Sequence, residues 1–262
     1  MGKLNNVAII GCGNLGLSIL NGLISEQNRS VGKIIATKRN IEDIQSFEEL
    51  GVVVTSDNKM AVEEADIVVF ALKPYKILEV ISGLKETLTQ DKVVVSLATG
   101  IESKEITEIL VGNPVYRAMP NTGAAVSESV TCIATSDTDL ERQKIVKDLF
   151  NAVGQSIYIE EGLMDSATVL GACGVAYVLR FIRAMIQGGI EIGFDAKTAT
   201  DIVNQTVKGA AELLIQNENH PEQEIDKVTT PKGCTIAGLN EMEHNGFSSA
   251  LIKGILTSHQ KI

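Results

Sequence analysis

Up to residue 161 the chain alternates short, nearly continuous apolar runs with stretches of helical periodicity. The runs are Val7–Ile10, Ile34–Thr37, Val52–Val54, Ile67–Ala71, Val93–Ser96 and Val115–Met119, all rich in β-branched residues. A strand covered by helices on both faces carries apolar residues consecutively, so these runs predict a parallel sheet. Between them, Leu15–Ile24, Tyr75–Leu84 and Ser103–Leu110 repeat their apolar positions at helical spacing. Two further strand-like runs, Thr131–Ala134 and Ser156–Ile159, flank a helical pattern over Leu140–Ala152. Together they predict βα units around one sheet.

After Gly162 the alternation stops. Ser166–Ile192 reads as one long helix, apolar on most of its faces, with Gly171, Ala172, Cys173 and Gly174 in its first half. A helix that is apolar all round has to be covered, and in a small domain the cover is a second subunit. Asp195 stands where an N-cap would open the next helix, which shows Ile202, Val203, Val207, Ala210, Ala211 and Leu214 at helical spacing. Asn217–Gln223 is polar and contains Pro221, so it reads as a loop or break. Two last helices are predicted over Thr235–His244 and Ser248–Gln260. The expected fold class is therefore α/β: a parallel-sheet domain over residues 1–161, which the turn Gly11-Cys12-Gly13-Asn14-Leu15-Gly16 after the first strand marks as a dinucleotide-binding domain of Rossmann type, then an all-helical domain over 162–262 with a dimerisation and substrate role.

Composition narrows the functions available. The formal net charge is -10 and no Lys/Arg stripe interrupts it, so a nucleic-acid backbone would be repelled. The longest apolar run, Val169–Leu179, stops at Arg180, short of the roughly 20 residues that span a bilayer. The N-terminus enters a strand at Val7 with no signal-peptide pattern. A cytoplasmic protein without a membrane partner is expected. Cys12, Cys132, Cys173 and Cys234 are widely spaced, and His220, His244 and His259 show no pairing with them. That spacing favours reduced, partly buried thiols over disulfides or a metal site.

The first candidate chemistry lies where Val7–Ile10 runs into Gly11-Cys12-Gly13-Asn14-Leu15-Gly16 and then a helix. In this setting Gly11 permits a tight turn, Gly13 lets backbone approach a pyrophosphate, and Gly16 packs helix on strand. Free N–H groups at the helix start would hold the phosphates. The second strand ends in Thr37-Lys38-Arg39-Asn40, where an NAD site usually has Asp or Glu for the ribose 2′-hydroxyl. Lys38 and Arg39 favour a 2′-phosphate, hence NADPH over NADH, although two solvated loop charges would read the same. Ala71-Leu72-Lys73-Pro74, Ala98-Thr99 and Met119-Pro120-Asn121-Thr122 follow later strands and fall at the same sheet edge.

In the second half, Thr229-Thr230-Pro231-Lys232-Gly233-Cys234-Thr235 forms a turn leading into a helix. Unpaired N–H groups at Gly233, Cys234 and Thr235, with the hydroxyls of Thr230 and Thr235, would suit a small carboxylate. An ordinary Pro/Gly loop with a Thr cap explains the segment equally well.

Three of these segments together resemble the pyrroline-5-carboxylate reductase family: Met119–Thr122, Gly171-Ala172-Cys173-Gly174-Val175-Ala176-Tyr177, and Val228–Leu239. The resemblance runs nearly end to end and implies hydride transfer from a nicotinamide cofactor to a cyclic imino acid, giving proline. It implies that Thr235 is the active-site threonine near the imine nitrogen, and that Thr230, Gly233 and Cys234 hold the substrate carboxylate. It further implies cofactor contacts at Asn58, Lys73, Pro74 and Ala98, and a homo-oligomer joined through C-terminal helices. Lys232 departs from the family pattern, which has paired glycines there, and Cys173 and Val175 replace Ser and Pro.

The chemistry that is absent agrees with an imine substrate. Carbonyl reduction needs a positioned proton donor, yet no His lies near these turns and Leu170–Phe181 contains no Lys. A cyclic imine accepts hydride as an iminium and needs chiefly positioning. Tyr177 is the other candidate donor, with core packing as its competing role. Two alternatives stay open: a reductase for another imine or with a deazaflavin partner, and a silent NADPH-binding protein.

Overall fold

The computed structural model describes residues 5–25 and 31–262. Its single sheet has the order β3-β2-β1-β4-β5-β6-β7-β8. The strands are β1 (Val7–Ile10), β2 (Ile34–Thr37), β3 (Val53–Thr55), β4 (Ile67–Phe70), β5 (Val93–Ser96), β6 (Val115–Met119), β7 (Ser129–Thr135) and β8 (Gly154–Tyr158). All neighbours run parallel except β6 and β7. That exception has a simple cause. A parallel return needs a crossover of about a dozen residues or more, and the short link from Met119 to Ser129 holds only a 3-10 turn, Thr122–Val126.

The consecutive apolar residues divide between two layers as a two-residue period requires. Val7, Ile9, Val69 and Val95 pack into one core and Ala8, Ile10, Val68 and Val94 into the other. Helices α1 (Asn14–Ile24), α2 (Asn58–Glu64), α3 (Pro74–Gly83), α4 (Ser103–Ile109) and α5 (Leu140–Asn151) accompany the strands. Helix α2 and a 3-10 segment, Ile41–Leu50, are absent from the periodicity because both are short and mostly polar outside.

The chain divides into two compact units, one holding the described residues up to Val175 and one running Ala176–Lys261. The change of periodicity at 161 marks where the sheet ends. Residues 161–175 stay with the first unit because Met164, Thr168 and Val169 are buried there. They comprise a 3-10 turn, α6 (Met164–Ala167) and a π-helical segment, Thr168–Cys173, leading into α7 (Gly174–Glu191). Two polar ties hold this segment to the sheet. Buried Arg117 on β6 reaches Glu161 at 3.2 Å, and Asn121 Nδ2 donates to Gly171 O at 3.0 Å. Burial works against the Glu161 carboxylate, but the Ser103 N–H and Arg117 outweigh it and lower its pKa.

The second unit contains α7, α8 (Ala196–Asn217), α9 (Pro221–Val228), α10 (Cys234–His244) and α11 (Phe247–His259). Asp195 caps α8, accepting from Lys197 N at 3.0 Å and Thr198 N at 3.1 Å. The break expected over Asn217–Gln223 is shorter than its composition suggests. Pro221 starts α9 instead of interrupting it, because the first helical position needs no N–H donor. Helix α7 also outruns the apolar run Val169–Leu179. The continuous helical stretch Glu161–Glu191 is 31 residues long with mean hydropathy 1.7, long and apolar enough to cross a membrane. Arg180 and Arg183 oppose that role, since an arginine at mid-bilayer costs about 2.5–3.5 kcal/mol even on insertion scales. Leu170, Val178, Leu179 and Phe181 are exposed in the single chain.

At the start of β6 the Tyr116 hydroxyl donates to Asp137 at 2.7 Å, and Arg142 grips the same carboxylate with two N–H donors at 2.8 Å. Arg142, against the effect of burial and with help from Tyr116, holds the Asp137 pKa down at about 2. A depressed folded pKa gives stability that is complete above the unfolded value and lost as pH falls through the folded one. Asp137→Asn should cost about 2 kcal/mol near neutrality. In urea unfolding at fixed protein concentration, that gap should close as pH falls from about 4 to 2. A gap independent of pH would rule out the ion pair as its source.

Candidate active site

Where β1 ends, Gly11 takes φ +97°, a left-handed conformation that side chains rarely adopt. A Cβ there would stand 2.9 Å from Ala71 O, so glycine is required by both torsion and space. The turn is fixed from the β2 side as well. Cys12 N donates to Thr37 O at 2.8 Å and Gly11 N to Thr37 Oγ1 at 3.2 Å. Gly16 sits behind the turn, its would-be Cβ 2.5 Å from Gly11 O, which seats α1 tightly on the loop. Gly13 differs: nothing lies within 4 Å of where its Cβ would be. The opening of α1 is thereby left accessible, and no side chain caps its N–H groups.

That opening is part of a cavity of about 830 Å³. Gly11, Cys12, Gly13, Asn14 and Leu15 line one side, and Lys38 and Arg39 another. Ala71, Leu72, Lys73 and Pro74 close it from β4, and Ala98 from β5. Twelve positions picked out by strand-end reasoning thus line one cavity. Asn40, Tyr75, Lys76, Leu97, Thr99 and Thr122 also line it. Their signal in the sequence is only adjacency to the same strand ends.

Among the described residues four cations, Lys38, Arg39, Lys73 and Lys76, line the cavity, and no carboxylate does. For a chain of net charge -10 this is a local reversal of sign. Lys38 is paired with Asp43 at 2.9 Å and Lys76 with Glu79 at 2.8 Å. Arg39 makes no ion pair among the described residues. Cys12, though at the cavity wall, is buried, and burial pushes its thiol pKa up to about 11.

Other expected contacts lie outside this cavity. Asn58 opens α2 behind the Asp57 cap. Met119 is buried against Ala134 and Met164. The Asn121 side chain is committed at both ends, accepting from Gly123 N at 2.8 Å while donating to Gly171 O. Its amide therefore braces the loop that carries Thr122 to the cavity.

In the second unit, Thr230-Pro231-Lys232-Gly233 closes a tight turn through Gly233 N–H donating to Thr230 O at 2.8 Å. The Gly233 N–H expected to be unpaired is therefore taken, because a turn closes on its fourth residue. Those of Cys234 and Thr235 open α10, where no intrahelical acceptor exists and no side chain caps the end. Gly233 lies so near Thr230 that a Cβ would meet its Oγ1 at 2.6 Å. Lys232 has φ +60°, which is why paired glycines suit this turn and why a lysine here is strained. Cys234 is exposed, where a partly buried thiol was expected. Tyr177 donates its hydroxyl to Ser258 Oγ at 2.6 Å. This bond ties α7 to α11.

Comparison with known proteins agrees with both halves. A family model described as pyrroline-5-carboxylate reductase dimerisation matches residues 161–262. A second, described as NADP oxidoreductase, coenzyme F420-dependent, matches residues 6–100. Pyrroline-5-carboxylate reductase 2 of Dictyostelium discoideum is 42% identical over 273 residues, covering 98% of this chain and 91% of that relative. Pyrroline-5-carboxylate reductase 1 of the same organism is 43% identical over 98% of this chain, which spans about half (49%) of that relative's length. The crystal structure of Plasmodium falciparum pyrroline carboxylate reductase with NADP bound matches with TM-score 0.88 at 26% identity, covering 98% of this chain and 96% of that one.

The turn at Lys232 yields a direct test. Lys232→Gly relieves a left-handed strain of about 1–2 kcal/mol and gives back roughly 0.5–1 kcal/mol in unfolded-chain entropy. Calorimetry should show an unchanged or slightly raised melting temperature for Lys232→Gly and a lowered one for Gly233→Ala. The opposite order would refute the turn geometry.

Proposed function

This chain belongs to the pyrroline-5-carboxylate reductase family, and we infer that it reduces 1-pyrroline-5-carboxylate to L-proline with a nicotinamide dinucleotide. The observation that carries the reading is full-length similarity to reductases of that name, with a cation-lined cavity at the phosphate-binding turn. When bound, the reduced cofactor supplies hydride to the carbon of the substrate's C=N bond. The protein's own part is to bind and orient. Uncapped N–H groups at the start of α1 hold the pyrophosphate, with Gly13 leaving room for it. Those of Cys234 and Thr235, with the Thr230 hydroxyl, hold the substrate carboxylate, and Thr235 Oγ1 hydrogen-bonds the imine nitrogen. Met119 and Asn121, outside the cavity, support the nicotinamide side indirectly, and Asn58 is a cofactor contact at the β3 edge of the sheet.

NADPH is the preferred cofactor in this reading. Arg39 stands at the end of β2 without an ion-pair partner among the described residues, and no carboxylate is there to take a ribose 2′-hydroxyl. The active form is a homodimer or larger ring, joined through the apolar surface of the second unit. A cytoplasmic location goes with the need for a reduced nicotinamide pool. The match to the F420-dependent model covers only residues 6–100. It concerns the nucleotide half, so the Thr229–Thr235 turn and the full-length relatives favour the proline reaction over a deazaflavin one.

Purified protein given 1-pyrroline-5-carboxylate should oxidise NADPH faster than NADH, with proline as product. Arg39→Ala should shrink that ratio by roughly five- to tenfold while sparing NADH turnover, in keeping with loss of a charge-assisted bond. Binding of NADPH without turnover of this or any cyclic imine would instead identify a silent nucleotide-binding protein. Thr235→Ala should lower kcat by about 10- to 100-fold, the worth of one well-placed hydrogen bond. Its Kd for NADPH should stay unchanged. Wild-type kcat in that variant would remove Thr235 from the mechanism.

A further inference from the structure

The nucleotide cavity has an aromatic residue on its rim that neither the phosphates nor the ribose accounts for. We propose that Tyr75 is the stacking platform for the adenine base, which lies between this ring and the Arg39–Asn40 turn. The inference rests on the nucleotide reading above and extends it to a residue that strand-end motifs do not reveal.

Tyr75 is the second residue of α3 and lines the same cavity as Gly11–Leu15 and Lys38–Asn40. Its ring is 80% exposed, and among the described residues it makes no ring contact or hydrogen bond. In a chain with no Trp and 4% aromatic residues, few rings are available for any recognition role. A single exposed ring is unremarkable on a surface. Its position is what carries weight here.

The dinucleotide's own connectivity fixes where the base must go. With the pyrophosphate at the start of α1 and the ribose at Lys38–Arg39, the adenine extends past the end of β2. The structure offers two walls there, the Arg39–Asn40 turn and the first turn of α3. Both walls line the one cavity. Glu79, one turn along α3, has its pKa lowered first by Lys76 and, beyond the opposing effect of burial, also by Arg39. A base bound in this cavity has an aromatic ring and a guanidinium among its lining residues, and both groups stack on purines. Burial against adenine would also remove the ring from water, which the protein alone does not do.

The test uses full-length protein and three reduced nicotinamides, followed by nicotinamide fluorescence. Tyr75→Ala should weaken NADPH and NADH by a common factor of about ten, in keeping with base–aromatic stacking. Binding of reduced nicotinamide mononucleotide, which lacks adenine, should be unaffected. Tyr75→Phe should bind all three as the wild type does, because the face and not the hydroxyl is used. Without nucleotide, the melting temperature of Tyr75→Ala should match the wild type, given the exposure of the ring. Full NADPH affinity in Tyr75→Ala overturns the proposal. So does equal weakening of the mononucleotide, which would mean the ring acts through the fold. A wild-type protein that binds neither NADPH nor NADH overturns the nucleotide reading itself, and this inference with it.

Discussion

Gly11 comes so close to the end of β4 that a single added carbon would stand 2.9 Å from Ala71 O. This contact sits between β1 and β4, adjacent strands of the sheet on either side of the point where the chain's direction of winding reverses. At such a point the connections leave to opposite faces, and a crevice opens outside the strand ends. The left-handed turn at Gly11 directs α1 into that crevice with its first N–H groups bare. A side chain at this position would push the turn off β4 and misplace α1, Gly13 and the Lys38–Asn40 wall together.

Charge then gives the crevice its chemistry. The protein as a whole is acidic, yet among the described residues four cations and no carboxylate line the cavity. Two of those cations are partly neutralised by Asp43 and Glu79, which orient them and temper the field. Arg39 keeps its full charge for a ligand. Anionic groups match this arrangement better than a neutral ligand does, because desolvating four cations costs less when anions replace the water.

The second unit is organised by a different requirement. Its helices expose Val178, Leu179, Phe181, Ile190 and Leu256, more apolar surface than the single chain can cover. The dimerisation module that matches residues 161–262 accounts for that surface. The same module carries the Thr230–Thr235 turn, in which Lys232 holds a left-handed torsion. Lys232 is exposed, so its side chain adds no packing clash to that torsional cost.

Some of this molecule is written in the order of its residues. Strands β1, β2, β4, β5 and β6 follow from unbroken apolar runs, because a strand buried on both faces has no exposed position to interrupt the run. The phosphate-binding turn and the Thr229–Thr235 segment were legible for a related reason: glycine and proline act locally, through torsions that need no distant partner. Where long-range contacts decide, the residues alone were silent. The π segment over Thr168–Cys173, with Thr168 and Val169 buried, depends on what lies beside it. So does the commitment of the Asn121 amide to Gly123 and Gly171. That Tyr75 and Arg39 line the same cavity is likewise a tertiary fact, since the two belong to turns after different strands. Only the pairing of β2 and β4 on either side of β1 brings those turns to one cavity.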